Sequence, residues 1–234
     1  MDQNNVSKRA VWQLIFSAVY LCFFPPILMW LAGDWRWVEG WIFSALFCGL
    51  SFAIVFYLYR RDPALLNERF GSPFQKNQKL WDKFLLVIFF LVFVIWYAIM
   101  PLDSHDFGWS PRFPIWLELV GALIFTLGFY LLYRAMKENT YAAPVIKMQK
   151  ERGQTVITTG PYAIVRHPMY TGGTLLLLGG PLLLGSVYGL VAGLLLSLML
   201  ALRTFGEESM LRSELAGYEE YRERVRWRLI PYLF

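Results

Sequence analysis

Charge is absent from long stretches of this chain and crowded into the gaps between them. Residues 10 to 33, 40 to 59, 84 to 102 and 169 to 202 contain no Asp, Glu, Lys or Arg, and residues 113 to 133 contain only Glu118. A helix that crosses a bilayer needs about 20 apolar residues, so each block predicts a spanning helix. The last block is too long for one: as a straight helix it would measure about 50 Å against a hydrocarbon core of about 30 Å. Gly185 and Ser186 lie at its middle and predict a tight helical hairpin. The expectation is a single all-α, polytopic membrane domain of about six spans, near 10–33, 38–59, 82–102, 113–135, 168–185 and 187–204. An amphipathic pattern then continues through Glu208, Leu211 and Leu215, bends at Gly217 and resumes at Tyr218, Tyr221 and Val225, predicting a C-terminal helix lying on the membrane surface.

Composition strengthens this reading: 57% of the 234 residues are hydrophobic and 17% charged, where a soluble domain has nearer a quarter charged. The first block lacks the short apolar core and small-residue cleavage site of a signal peptide and is expected to remain as a span. Basic residues alternate in their placement. Lys8 and Arg9 precede the first block, Arg60 to Lys79 fill the second connection, Lys137 to Arg166 the fourth, and Arg212 to Arg228 the tail. The other connections hold Arg36, Arg112 and nothing. Basic loops stay cytoplasmic, so both termini are expected there. The net charge of +5 then answers anionic lipid rather than nucleic acid. No ionisable group stands at the centre of a span, which disfavours transport. Cys22 and Cys48 read as packing residues, Pro25 and Pro26 as a kink, and Asp103, His105 and Asp106 as a solvated outer loop with no metal.

Two polar clusters remain. The first is GPYAIVRHPMYTGG, residues 160 to 173. A residue before proline is steered from helical geometry and proline suits the first helical position, so the fifth span should begin at Pro168. Its N-terminal end faces the cytoplasm with Arg166, His167, Tyr162 and Tyr170 beside it, a set suited to an anion and to a cation over aromatic faces. An interfacial anchor accounts for the same residues equally well. The second cluster follows the sixth span, where Arg203 and Glu207 share a helix face at i, i+4. The hairpin returns the chain to its starting side, so both clusters meet at one face.

Gly-Pro-Tyr-Ala-Ile-Val-Arg-His-Pro-Met-Tyr-Thr-Gly followed by EESML and GYEEYRERV resembles the isoprenylcysteine carboxyl methyltransferases and related phospholipid methyltransferases, over roughly residues 140 to 231. The resemblance implies an integral membrane enzyme that uses S-adenosylmethionine without a Rossmann domain. By matching motifs it assigns Tyr162, Arg166, His167, Pro168, Met169, Tyr170, Glu207 and Glu208 to the cofactor site, with Gln154, Thr155, Val156 and Ile157 contacting it through backbone atoms. Gln149 matches a further contact through a gapped alignment. Arg203 matches the arginine that faces the methyl acceptor, and with Glu207 it forms the expected catalytic pair.

A carboxylate acceptor is ionised at neutral pH and needs no base, whereas an amine or phenol would call on Glu207 or Glu208. The acceptor is expected to be lipid-like and to enter from the bilayer, and it stays open among a prenylated cysteine carboxylate, a phospholipid amine and a small isoprenoid. Two other readings stand beside this one. Sterol C14 reductases look similar here and use NADPH, but carry Asn and Asp where this chain has Met169 and Gly173. A non-catalytic lipid-binding membrane protein is the third. Gly172, Gly173, Gly179 and Gly180 either make room for ligand or let spans pack closely.

Overall fold

Helices account for nearly all of the regular structure. The computed structural model describes residues 3–72, 74–75 and 78–234, and among these there is no β-strand. The helices are α1 (Gln3–Ala32), α2 (Val38–Arg61), α3 (Pro63–Arg69), α4 (Leu80–Pro101), α5 (Ile115–Glu138), α6 (Pro168–Leu184), α7 (Val187–Glu214) and α8 (Tyr218–Arg224). Five of them, α1, α2, α4, α5 and α7, are long and apolar enough to cross a membrane. At 17 residues α6 is shorter, about 26 Å. The outer surfaces are densely apolar: Trp12, Trp30, Phe84, Phe90 and Ile115 are all more than 60% exposed. Such continuous exposed apolar area has lipid as its partner, and this is an integral membrane protein.

One helix carries both the last expected span and the amphipathic pattern beyond it. α7 runs unbroken from Val187 to Glu214, 28 residues in all and about 42 Å. It therefore carries Arg203, Glu207 and Glu208 on the same rigid rod as the apolar span. The amphipathic helix expected after it is reduced to the seven residues of α8, set off by Gly217 at φ +81°.

Proline sites show how the core solves its backbone accounting. Pro25 has no N–H, so the Leu21 carbonyl one turn earlier loses its donor; Cys48 Sγ on α2 fills the place at 3.4 Å. Pro181 does the same to Leu177, and the Trp96 indole on α4 donates to that carbonyl at 3.0 Å. Cys48 thus does more than pack. Around these sites Leu28, Met29, Phe43, Trp96, Met100, Phe125 and Leu196 form the central buried cluster.

Glycines set the closest helix pair, α5 against α6. A Cβ on Gly121 would come within 2.3 Å of Leu183 N, and one on Gly179 within 2.5 Å of Phe125 N. Gly128 and Gly172 face each other's carbonyls in the same way. Gly172 and Gly179 therefore serve close packing, and Gly180 abuts Phe43 and Trp96. Of the four glycines, Gly173 borders the cavity described below.

The turn between α6 and α7 uses Gly185 at φ +72° and Ser186, whose Oγ accepts from Gly189 N as the helix cap. Here the solvated-loop expectation fails for Asp103. It is fully buried, and its Oδ2 accepts from Ser110 Oγ, Ser186 Oγ and Tyr188 N. A carboxylate at the N-terminus of α7 complements the helix dipole, so Asp103 ties the outer loop to the hairpin tip. His105 pairs with Asp34 at 3.1 Å and stacks on Trp37, which makes it part of the same outer cap.

Candidate functional site

A cavity of about 530 Å³ opens at the end of the bundle where α6 starts, within the range of small-molecule sites. Its walls change character along their length. Asn139, Tyr141, Gln154 to Ile157, Tyr162, His167, Glu207 and Tyr218 form a polar end built from the loops. Leu86, Phe89, Phe93 and Trp96 follow one face of α4 and, with Phe125 and Leu176, form an apolar end inside the bundle. That α4 face rises about 15 Å into the membrane-spanning region. Arg203 and Tyr170 stand where the two ends meet, with the Arg203 guanidinium 5.7 Å from the Tyr170 ring centre.

Arg203 is held by groups far away in sequence. Its Nε donates to Asp82 Oδ1 at 2.8 Å and its Nη2 to the Pro144 carbonyl at 2.9 Å. Asp82, fully buried, also accepts at Oδ2 from Gln78 Nε2 (2.8 Å) and Ile146 N (3.0 Å). Arg203 and Glu207 share a helix face but form no salt bridge, because Asp82 takes the guanidinium. Nη1 has no hydrogen-bond partner among the described residues and belongs to a side chain that lines the cavity.

The two adjacent glutamates face opposite ways, as neighbours about 100° apart on a helix must. Glu207 lines the cavity and accepts a hydrogen bond from Tyr170 Oη at 2.5 Å. Glu208 points into the protein. Its Oε1 accepts from Arg166 Nε at 2.7 Å and His167 Nε2 at 3.1 Å, and its Oε2 from Arg228 Nε at 3.0 Å. Glu208, which the motif places at the cofactor site, lies outside the cavity lining and sets one carboxylate against three basic side chains. Arg166 is likewise committed, with Nη1 also donating to the carbonyls of Val225 and Arg226.

The C-terminal segment closes this wall like a strap. Arg166 N and His167 N donate to the carbonyls of Trp227 and Arg228, both at 2.9 Å, and Thr171 Oγ1 donates to Leu229 O at 2.8 Å. Tyr221 Oη donates to Tyr162 O at 2.8 Å, and burial pushes the Tyr221 and Tyr162 phenols well above their ordinary range. The anion expected at the start of α6 finds fewer donors than supposed, because Tyr170 N and Thr171 N already bond to His167 O.

Eleven of the sequence-derived residues border the cavity: Gln154, Thr155, Val156, Ile157, Tyr162, Arg166, His167, Met169, Tyr170, Arg203 and Glu207. Gln149, Pro168 and Glu208 do not. Gln149 is buried behind the wall, its Nε2 on Tyr141 O and its Oε1 on Arg152 Nη1. Pro168 is buried as the first residue of α6. Sequence reasoning missed Asp82, Arg69 and the whole face of α4. Asp82 had a faint signal as an acid at the start of an apolar span. Among the described residues no group of His, Cys, Asp and Glu has the arrangement of a metal site.

Comparison with known proteins follows the same lines. Residues 116–216 match the family model of the phospholipid methyltransferases. Over 105 residues the chain is 35% identical to a protein-S-isoprenylcysteine O-methyltransferase of Schizosaccharomyces pombe, covering 42% of this chain and 43% of the relative. The match thus spans less than half the length of that curated relative. The fold is similar to the solved eukaryotic intramembrane Ras methyltransferase ICMT (isoprenylcysteine carboxyl methyltransferase), with a TM-score of 0.59 and 20% identity over 98% of this chain and 83% of that one. The paired motifs, the matched residues 116–216 and the shared fold agree in likening this chain to the phospholipid methyltransferases and the isoprenylcysteine methyltransferases.

Proposed function

We propose that this protein is a membrane methyltransferase that transfers a methyl group from S-adenosylmethionine to the carboxylate of a lipid-like acceptor, with a prenylated cysteine as the favoured class. The observation that carries this reading is the two-ended cavity with Arg203 at its waist. The donor set fits the cofactor: backbone at Gln154 to Ile157, the aromatic faces of Tyr162 and Tyr170, and the Glu207 carboxylate beside them. When bound, the cofactor supplies an electrophilic methyl on a sulfonium, a cation that aromatic faces and a carboxylate attract.

Arg203 meets the acceptor. With Nε and Nη2 engaged by Asp82 and Pro144, Nη1 donates to the acceptor carboxylate and aims one oxygen toward the polar end. A carboxylate is already the nucleophile at neutral pH, so rate comes from alignment and from keeping water out rather than from a base. The apolar face of α4 receives the acceptor's hydrocarbon, and the acceptor enters from the bilayer while the cofactor enters from the cytoplasm. In this reading residues 140–231 form the cofactor and catalytic region of a single membrane domain, with both termini cytoplasmic.

The test is calorimetry on the detergent-purified protein with S-adenosylhomocysteine and, separately, NADPH, followed by transfer of labelled methyl to a farnesylated cysteine analogue. Binding of the first ligand together with labelled ester is expected. Binding of NADPH alone would return the chain to the reductase reading.

A further inference from the structure

Four Lys and Arg side chains border the cavity: Arg69, Lys147, Arg166 and Arg203. Three have a carboxylate of their own. Lys147 pairs with Glu68 at 2.7 Å, Arg166 with Glu208 at 2.7 Å and Arg203 with Asp82 at 2.8 Å. Arg69, the last residue of α3, has no carboxylate partner among the described residues. Its one hydrogen bond there runs from Nη1 to the Ala142 carbonyl at 3.0 Å. A partly buried guanidinium without a counter-ion is costly, and the cost falls when an anion arrives. Burial here lowers the Arg69 pKa to about 10, with the nearby Tyr162 opposing the shift.

We infer that Arg69 binds the carboxylate of the amino-acid half of S-adenosylmethionine. This rests on the methyltransferase reading above and adds a residue to it that no motif marks. The cofactor brings one carboxylate and two cationic groups into the cavity. Glu207 is the acidic side chain that borders the cavity and suits the cations. The carboxylate needs a donor at the polar end, and Arg69 stands there against the 142 loop beside Tyr162 and Asn139. Arg203 stands at the mouth of the apolar end, where an acceptor carboxylate arrives instead. A planar guanidinium with Nε and Nη2 still without partners among the described residues can meet both carboxylate oxygens.

The experiment compares two ligands on the full-length protein by calorimetry. S-adenosylhomocysteine carries the amino-acid half, and 5′-methylthioadenosine lacks it. Arg69→Gln is expected to weaken the first by roughly 10- to 150-fold, the range for one charge-assisted hydrogen bond, and to leave the second unchanged. Arg69→Lys should retain part of the affinity. The methylthioadenosine affinity doubles as the folding control. Equal weakening of both ligands would mean that Arg69 acts by holding the 142 loop, and would overturn the inference. Unchanged affinity for both, or a change confined to the acceptor KM, would overturn it too. A wild-type protein that binds neither ligand overturns the cofactor reading itself, a result distinct from the others.

Discussion

Asp82 Oδ1 lies 2.8 Å from Arg203 Nε, joining the first turn of α4 to the far part of α7 across 121 positions of sequence. The same carboxylate holds Ile146 N, so one buried acid fixes the arginine and the loop over it together. Removing one member of a buried pair costs about 3–5 kcal/mol because the other charge is stranded. Asp82→Ala is therefore expected to lower the unfolding temperature in detergent. Asp82→Asn, which keeps the shape, should cut turnover while leaving S-adenosylhomocysteine affinity within a few-fold. Combined with Arg203→Lys it should add little further loss, since both act on one guanidinium. Additive losses in initial rate would show that Asp82 acts elsewhere.

Arg203 and Glu207 are expected to fail differently. Arg203→Lys keeps the charge but loses the planar fork, so turnover should collapse with cofactor affinity nearly unchanged. Glu207→Gln removes the carboxylate that accepts from Tyr170, and cofactor affinity should fall first, by roughly 10- to 150-fold. Calorimetry and initial rates on the two variants decide the matter. Loss of the same property by the same factor in both would refute the division of roles.

Glu208→Gln should behave unlike its neighbour. It would leave Arg166, His167 and Arg228 facing one another without a counter-charge. The expected outcome is a large drop in thermal stability with faster proteolysis of the 225–234 strap. A Glu208→Gln protein as stable as wild type but unable to bind cofactor would restore Glu208 to the ligand site.

Glycine substitutions should separate packing from open surface. Gly121→Ala drives a Cβ into the α6 backbone, and overpacking typically costs about 1–3 kcal/mol. Gly49→Ala, in α2 with nothing within 4 Å, should be neutral or stabilising by up to about 1 kcal/mol. Unfolding temperatures measured side by side in one detergent check both. A stable Gly121→Ala protein would contradict the close approach of α5 and α6.

Orientation can be read by cysteine labelling in a background with Cys22 and Cys48 replaced by Ser. Ser72 and Arg112 are both exposed and lie in connections at opposite ends of the helices. Ser72→Cys is expected to react with an impermeant thiol reagent only from the cytoplasmic side, and Arg112→Cys only from the other. Reaction of both from one side would sink the arrangement with cytoplasmic termini.

The sequence by itself determined what depends on residues near one another in the chain. Uncharged blocks forced helices because lipid offers the backbone no hydrogen bonds, Gly185–Ser186 forced the hairpin, and Pro168 set the start of α6. The spacing of Arg166 to Tyr170 and of Glu207 to Glu208 was legible as a motif for the same reason. Which partner each charge takes was not legible. Local sequence offers Arg203 only its i, i+4 neighbour Glu207, yet a fully buried Asp82 from another helix takes the guanidinium. A desolvated carboxylate must find a cation or be neutralised, and only the packing of α4 on α7 says which cation is within reach. Glu207 and Glu208 are identical in kind and adjacent in sequence. Their separate fates, one in the cavity and one among three basic groups, follow from the rotation of α7 against α6. Tertiary structure also decided that Gly172 and Gly179 serve packing and that Asp103 is buried, since a neighbouring backbone or a helix end leaves no mark on local sequence.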